Sequence, residues 1–231
     1  MLGRNHKYST LLMDADETLF DFGKCEYKAL SNTLKSAGLI FSDEVYQSFT
    51  AINSRLWREY EKNNITRSEL RVRRFRELIE KCFDGFNKAD ELADIYIEML
   101  SQQGILIDGT EDALKALTDH YDIYVITNGL KAVQRGRFAR TDITAYIKKI
   151  FISDEMNVQK PMKEFFDIVL SEIDERDKSK ILVVGDSLTS DMQGGRNAGL
   201  DTCLFDPKDK VEMPDPLCDH KIHKLIELID F

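Results

Sequence analysis

Two aspartates flank a single alanine in Asp14-Ala15-Asp16-Glu17-Thr18, directly behind the apolar run Thr10-Leu11-Leu12-Met13. A buried strand that ends in bare carboxylates needs a use for them, because a carboxylate leaves water only at a high cost. Carboxylates on alternate residues, followed by a hydroxyl, offer a nucleophile, a proton shuttle and a metal-binding edge within one turn of backbone. An Asx-type turn capping the next segment is the structural alternative. Further groups follow in order: Thr127, then Lys160, then Asp186 with Asp191. If they meet at one point they suit phosphoryl transfer through a covalent aspartyl phosphate. Asp14 would attack phosphorus. Asp16 would protonate the leaving oxygen and then activate water, so it has to enter the first step protonated. Thr127 and nearby backbone N–H groups, that of Asn128 included, would orient phosphate oxygens, and Lys160 would offset the charge beside them. A phosphate together with Asp14, Asp186 and Asp191 concentrates negative charge, and Mg²⁺, a hard ion that retains waters, is the expected counterion.

The elements that must position these groups are legible as short apolar runs. Ser9–Met13, Ile123–Ile126, Lys149–Ile152, Ile181–Val184 and Thr202–Phe205 each stop at polar residues, and helical stretches separate most of them. That pattern predicts a parallel sheet buried on both faces, with the reacting groups at the carboxyl ends of its strands. The interval between the first two runs is far longer than one crossover helix requires. Within it, Asp43–Lys62, Leu70–Cys82 and Ala89–Leu100 carry apolar stripes at helical spacing. Thr66-Arg67-Ser68-Glu69 forms a capping box, with Ile65 and Leu70 placed as its hydrophobic staple. The expected architecture is an α/β, Rossmann-like core of residues 1–21 and 104–231, with helices on both sheet faces. Residues 22–103 form an inserted α-helical cap that covers the strand ends and excludes water.

This ordered set resembles the haloacid dehalogenase-like (HAD) superfamily of phosphohydrolases. Its D-x-D-x-T motif stands as Asp14 to Thr18, its strand-end Ser or Thr as Thr127, its lysine as Lys160 before Pro161, and its G-D-x-x-x-x-D as Gly185 to Asp191. The likeness spans the whole chain, and the helical insert sits where the superfamily inserts a C1 cap. It implies that Mg²⁺ is held by the side chains of Asp14 and Asp186 and by the backbone carbonyl of Asp16, with Asp191 supporting the metal's surroundings. Asp14–Phe22, Asn53–Trp57, Tyr60-Glu61, Arg74-Phe75 and Gln159–Lys163 also look like a bacterial subgroup of pyrimidine 5′-nucleotidases. The implied substrate is a small phosphorylated metabolite, a pyrimidine nucleoside 5′-monophosphate above all, and Phe22, Trp57, Arg74 and Phe75 are the candidate substrate contacts. Trp57 and Phe75 also suit a helical core, and Arg74 also suits a surface. Two positions depart from the pattern: Glu17, where the superfamily often has glycine, and Asn157, where many subgroup members do.

The 231-residue chain carries a formal net charge of −9, which argues against a nucleic-acid polymer or an anionic membrane as partner. Its four cysteines form no C-x-x-C pair, and neither a signal peptide nor a membrane span is apparent, so a cytoplasmic location is expected. Cys218-Asp219-His220 with His223 is the one local cluster reminiscent of a transition-metal site, and its plain reading is structural. Other functions remain open. A phosphatase for sugar phosphates or phosphoglycolate and a sugar-phosphate mutase share the core. A 2-haloacid dehalogenase has no need for Asp16 to protonate an alkoxide, and a phosphoacceptor module would be uncapped.

Overall fold

The computed structural model describes residues 6–231. Its sheet has six parallel strands: β1 Thr10–Met13, β2 Asp122–Thr127, β3 Lys149–Ile152, β4 Ile181–Gly185, β5 Asp201–Phe205 and β6 His220–Ile222. They lie in the order β3-β2-β1-β4-β5-β6, all parallel, a Rossmann-like arrangement. β1 is central, and its register sets Met13 beside Val125 of β2 and Val184 of β4. The residues following these positions emerge together at the carboxyl edge, where the strand order reverses. Side-chain alternation then feeds two cores. Leu11 and Met13 join Leu114, Leu117, Val125 and Val184 on one face. Leu12 joins Ile126, Phe165, Phe166, Val169 and Val183 on the other. Five strands fall where the apolar runs place them. β6 gave no such signal, because His220-Lys221-Ile222 offers a single aliphatic side chain.

The long insert holds four helices: α1 Phe22–Ser36, α2 Asp43–Glu61, α3 Arg67–Cys82 and α4 Ala89–Ser101. Polar caps start the first three. Asp21 accepts from the Lys24 N–H, Ser42 from the Val45 N–H, and Thr66 with Glu69 closes both bonds of the capping box. Phe49, Ile52, Leu56 and Tyr60 fall on one face of α2 and bury against Phe75, Leu78, Tyr96 and Leu30 in a core separate from those of the sheet. The staple residues Ile65 and Leu70 join that core.

Five further helices serve the sheet: α5 Thr110–Leu117, α6 Lys131–Phe138, α7 Ser153–Met156, α8 Lys163–Glu172 and α9 Gln193–Ala198. Val133 of α6 packs into the core of the helical insert. Polar links also cross between the two units: Arg67 to Asp154 and Ser153, Gln159 to the Tyr60 carbonyl, and Thr189 to Glu61. Among the described residues no helix is long and apolar enough to cross a membrane.

Candidate active site

β1 delivers Asp14 to the carboxyl edge, and the Asp14 N–H donates to the Val184 carbonyl at 2.8 Å, which fixes the residue beside the end of β4. Lys160 reaches it from the loop before α8. The lysine is 1% exposed, and its Nζ donates to Asp14 Oδ1 at 2.5 Å, Asp191 Oδ1 at 2.6 Å and the Ile126 carbonyl at 2.9 Å. Three acceptors satisfy all three ammonium hydrogens. Burial opposes the charge on Lys160, but Asp14 and Asp191 outweigh it and its pKa rises.

The β4–α9 connection supplies Asp186 and Asp191. A π-helical turn, Leu188–Met192, carries the wholly buried Asp191 back toward β4, where its Oδ2 accepts from the Ser187 N–H at 3.2 Å. This is why Gly185 is glycine: a Cβ there would stand 2.3 Å from Asp191 Oδ2. One carboxylate oxygen from each of Asp14, Asp186 and Asp191 lies within 4.8 Å of the others. Burial pushes Asp14 up to about 7, against the pull of Lys160 and with the help of Asp191 and Asp16. Asp186 keeps one side open to the cavity. Crowding by protein, then the charges of Asp14 and Asp191, raises it well above the usual carboxylate range. Three carboxylates share one ammonium here. That excess, made of hard oxygen donors, fits a divalent oxygen-loving cation.

Thr127 ends β2 and is 1% exposed. Its Oγ1 accepts from the Gly129 N–H at 3.1 Å and from Gln134 Nε2 at 3.2 Å, so the hydroxyl hydrogen is left to donate. The Asn128 side chain is turned toward the lysine loop. It donates to the Lys160 carbonyl and accepts from the Lys160 N–H, both at 2.9 Å, clamping the lysine loop and leaving the Asn128 backbone N–H for an anion.

Asp16 departs from the poised position its assigned role asks for. Gln134 Nε2 donates to its Oδ2 at 2.7 Å, and the guanidinium of Arg137 donates to its Oδ1. Both oxygens are thereby turned toward α6 in this arrangement. Arg137 is wholly buried. It lies over the Phe20 ring at 4.2 Å and also donates to the Gln103 carbonyl, at the junction with the helical insert. Sequence reasoning missed Gln134 and Arg137. Their spacing of three puts them on one face of α6, just past the Thr127-Asn128-Gly129 turn, and that was the available signal.

The motif departures have a backbone basis. Glu17 and Asn157 both adopt left-handed conformations, with φ of 59° and 57°. Glycine takes this conformation freely and asparagine tolerates it; for glutamate it carries strain. Glu17 offsets part of that strain by accepting from the Gly23 N–H at 2.9 Å, which ties the catalytic loop to the start of α1.

A cavity of about 450 Å³ joins these groups to the helical insert. Asp14, Asp16, Thr127, Lys160, Asp186 and Asp191 line its strand-end side, and Phe22, Glu26, Tyr46, Asn53 and Trp57 line the other. Phe22 and Trp57 thus stand where a substrate contact was expected. Phe75 does not: it is wholly buried with Phe49 and Tyr96, each at a ring separation of 5.4 Å. Arg74 is neither a surface charge nor part of the cavity lining. It is 3% exposed, lies 4.5 Å over the Tyr96 ring, and donates to Asn53 Oδ1 at 3.4 Å. A larger open groove of about 640 Å³, bordered by Asn63–Arg67 and Asn157–Gln159, contains none of the catalytic candidates. Of the Cys218 cluster, His220 meets the Tyr8 hydroxyl at 3.0 Å and His223 the Asp206 carbonyl at 2.8 Å.

Residues 8–199 match the haloacid dehalogenase-like hydrolase family, and the chain belongs to it. It is 34% identical to the HAD-hydrolase YfnB of Bacillus subtilis over 96% of this chain and 94% of that one. A crystal structure of that protein, described as bound to magnesium and as revealing interdomain movement, superposes with a TM-score of 0.91 over 96% of this chain and 97% of that one. The pyrimidine 5′-nucleotidase PynA of Streptococcus pneumoniae is 37% identical over 87% of this chain and 84% of its own. The pyrimidine 5′-nucleotidase YjjG of Escherichia coli is 32% identical over 96% and 98%. The chain is a hydrolase of the HAD phosphatase family.

Proposed function

We propose that the protein is a Mg²⁺-dependent phosphomonoesterase that works through an aspartyl phosphate on Asp14, with pyrimidine nucleoside 5′-monophosphates as substrates. The observation that carries this reading is the site itself: a buried aspartate, bonded to a buried lysine and crowded by two more aspartates, opening onto a cavity with an aromatic far wall. The kinship with PynA and YjjG supports the nucleotide part of it.

Asp14 and Asp186, with the Asp16 backbone carbonyl, would hold Mg²⁺, and Asp191 would brace them. When bound there, the ion would supply positive charge against the carboxylate excess and Lewis acidity toward the phosphoryl group. Asp14 Oδ forms a bond to phosphorus while the ester oxygen leaves, and Asp16 gives that oxygen a proton. Water then attacks phosphorus, Asp16 takes its proton, and phosphate departs with Asp14 regenerated. Lys160 and the Thr127 hydroxyl hold the phosphoryl oxygens as charge moves among them. For this sequence Asp16 has to turn away from Gln134 and Arg137 toward the leaving oxygen. We read residues 22–103 as the cap domain whose closure over the core, residues 1–21 and 104–231, excludes water during the chemistry.

A Mg²⁺-supported phosphate-release panel tests the reading. Pyrimidine 5′-monophosphates should give the highest kcat/KM, above sugar phosphates and phosphoglycolate. A preferred sugar phosphate would overturn the nucleotide assignment, and no release from any monoester would overturn the phosphatase mechanism.

A further inference from the structure

The wall of the cavity opposite the catalytic carboxylates has its own polar chemistry, on helices that otherwise bury apolar residues. Glu26 of α1 and Asn53 of α2 are 3% and 4% exposed, yet both line the cavity. Asn53 Nδ2 donates to Glu26 Oε1 at 2.7 Å, and the Thr50 hydroxyl reaches Glu26 Oε2 at 3.5 Å. Behind them Arg74 donates to Asn53 Oδ1, which fixes the amide with its oxygen toward the guanidinium and its nitrogen toward the carboxylate. Donor capacity remains. Asn53 keeps one N–H and the Glu26 carboxylate keeps free lone pairs, so the pair presents a donor beside an acceptor. Phe22, Tyr46 and Trp57, all half-buried, line the same cavity and offer flat apolar faces.

We propose that Glu26 and Asn53 are specificity-determining residues that read the edge of the substrate's base. The chemistry that fits is a cyclic imide such as uracil or thymine. Its N3–H donates to Glu26, and the adjacent carbonyl accepts from Asn53 Nδ2, while the ring lies among the aromatic side chains. Direction is set at the other end, where the Lys160 ammonium and the Thr127 hydroxyl receive the phosphate. This inference rests on the nucleotidase reading and gives its specificity a residue-level cause.

The experiment compares three substrates with the Mg²⁺-loaded enzyme: uridine 5′-monophosphate, 3-methyluridine 5′-monophosphate, which lacks the N3–H, and ribose 5-phosphate, which lacks the base. The methylated nucleotide should lose about tenfold or more in kcat/KM, mainly through KM, because a buried acceptor is left unpaired. Glu26→Gln, which presents an N–H where the carboxylate presents a lone pair, should erase the distinction between the two nucleotides. A wild-type enzyme that prefers uridine 5′-monophosphate to ribose 5-phosphate but ignores N3-methylation would overturn this inference and leave the nucleotidase reading standing. Preference for ribose 5-phosphate would overturn both. A Glu26→Gln enzyme that is less stable yet still discriminates would make the pair a helix-packing device and would also overturn the inference.

Discussion

Two buried polar clusters face each other across one cavity, and their charge balance differs. At the strand ends, Asp14 and Asp191 share the ammonium of Lys160, and Asp186 adds a third carboxylate beside them. In the helical insert, one carboxylate, Glu26, is balanced by one guanidinium, Arg74, with the Asn53 amide between them. A surplus of carboxylates has to be met by a cation or by protons, and the upward shift of Asp14 expresses that demand. Burial raises Glu26 as well, to about 7, but Arg74 opposes that rise, and the cluster's spare hydrogen-bonding capacity suits a neutral partner. On the proposed function, the first cluster would take phosphate and metal and the second a base.

The sharpest way to break this contrast is to remove a charge from the crowded side. Asp14→Asn should lower kcat by on the order of a thousandfold or more. Its thermal stability without metal should not fall, because Lys160 keeps Asp191 as a partner and one member of an overcrowded set is gone. A marked loss of stability in this variant would mean that the carboxylates are not in surplus.

Next in size is Arg137→Met. It strips Asp16 and the Gln103 carbonyl of their buried partner and should cost about 2–3 kcal/mol in denaturant unfolding, less than a fully buried pair because Asp16 is partly solvated. Arg137→Lys should cost less but not nothing, because Lys lacks the two-pronged donor geometry.

A pH series separates the two clusters without mutation. Burial pushes both Asp14 and Glu26 up to about 7, well above the unfolded carboxylate range. The folded protein therefore binds more protons than the unfolded chain between about pH 4 and 7, and metal-free stability should fall as pH rises through that window. Mg²⁺ should offset only the Asp14 part, so the rise in Tm on adding Mg²⁺ should be larger at pH 8 than at pH 5. An equal rise at both pH values would contradict the assignment of Asp14 as a ligand.

The smallest effect belongs to the scaffold. Thr66→Ala opens the capping box of α3 and should cost about 1 kcal/mol, measured by denaturant unfolding, with kcat unchanged.

The strand-end cluster was legible in the sequence because Asp14 and Asp186 directly follow apolar runs, Thr127 closes one, and Lys160 stands before a proline in the expected order. The capping box was legible too, being local. The base-side cluster was not. Glu26 and Arg74, like Arg137 beside Asp16, lie on helices among other charged residues, where charge ordinarily marks a solvent face, and only packing between helices reveals that these three are buried. Trp57 and Phe75 both suited a core by their helical spacing; Phe75 is there and Trp57 lines the cavity, because an aromatic at helical spacing reads the same in a core and at a cleft. Glu17 and Asn157 stood out as departures from glycine, and their left-handed backbones supply the reason that glycine is common there.

Covalent catalysis at Asp14 can be trapped directly. Rapid quenching of the Mg²⁺-loaded enzyme with uridine 5′-monophosphate, followed by borohydride reduction, converts an aspartyl phosphate to homoserine that peptide sequencing can locate. Homoserine is expected at position 14 during turnover and none without substrate. Turnover with no reduced residue, or with reduction at Asp16 or Asp186 instead, would contradict it.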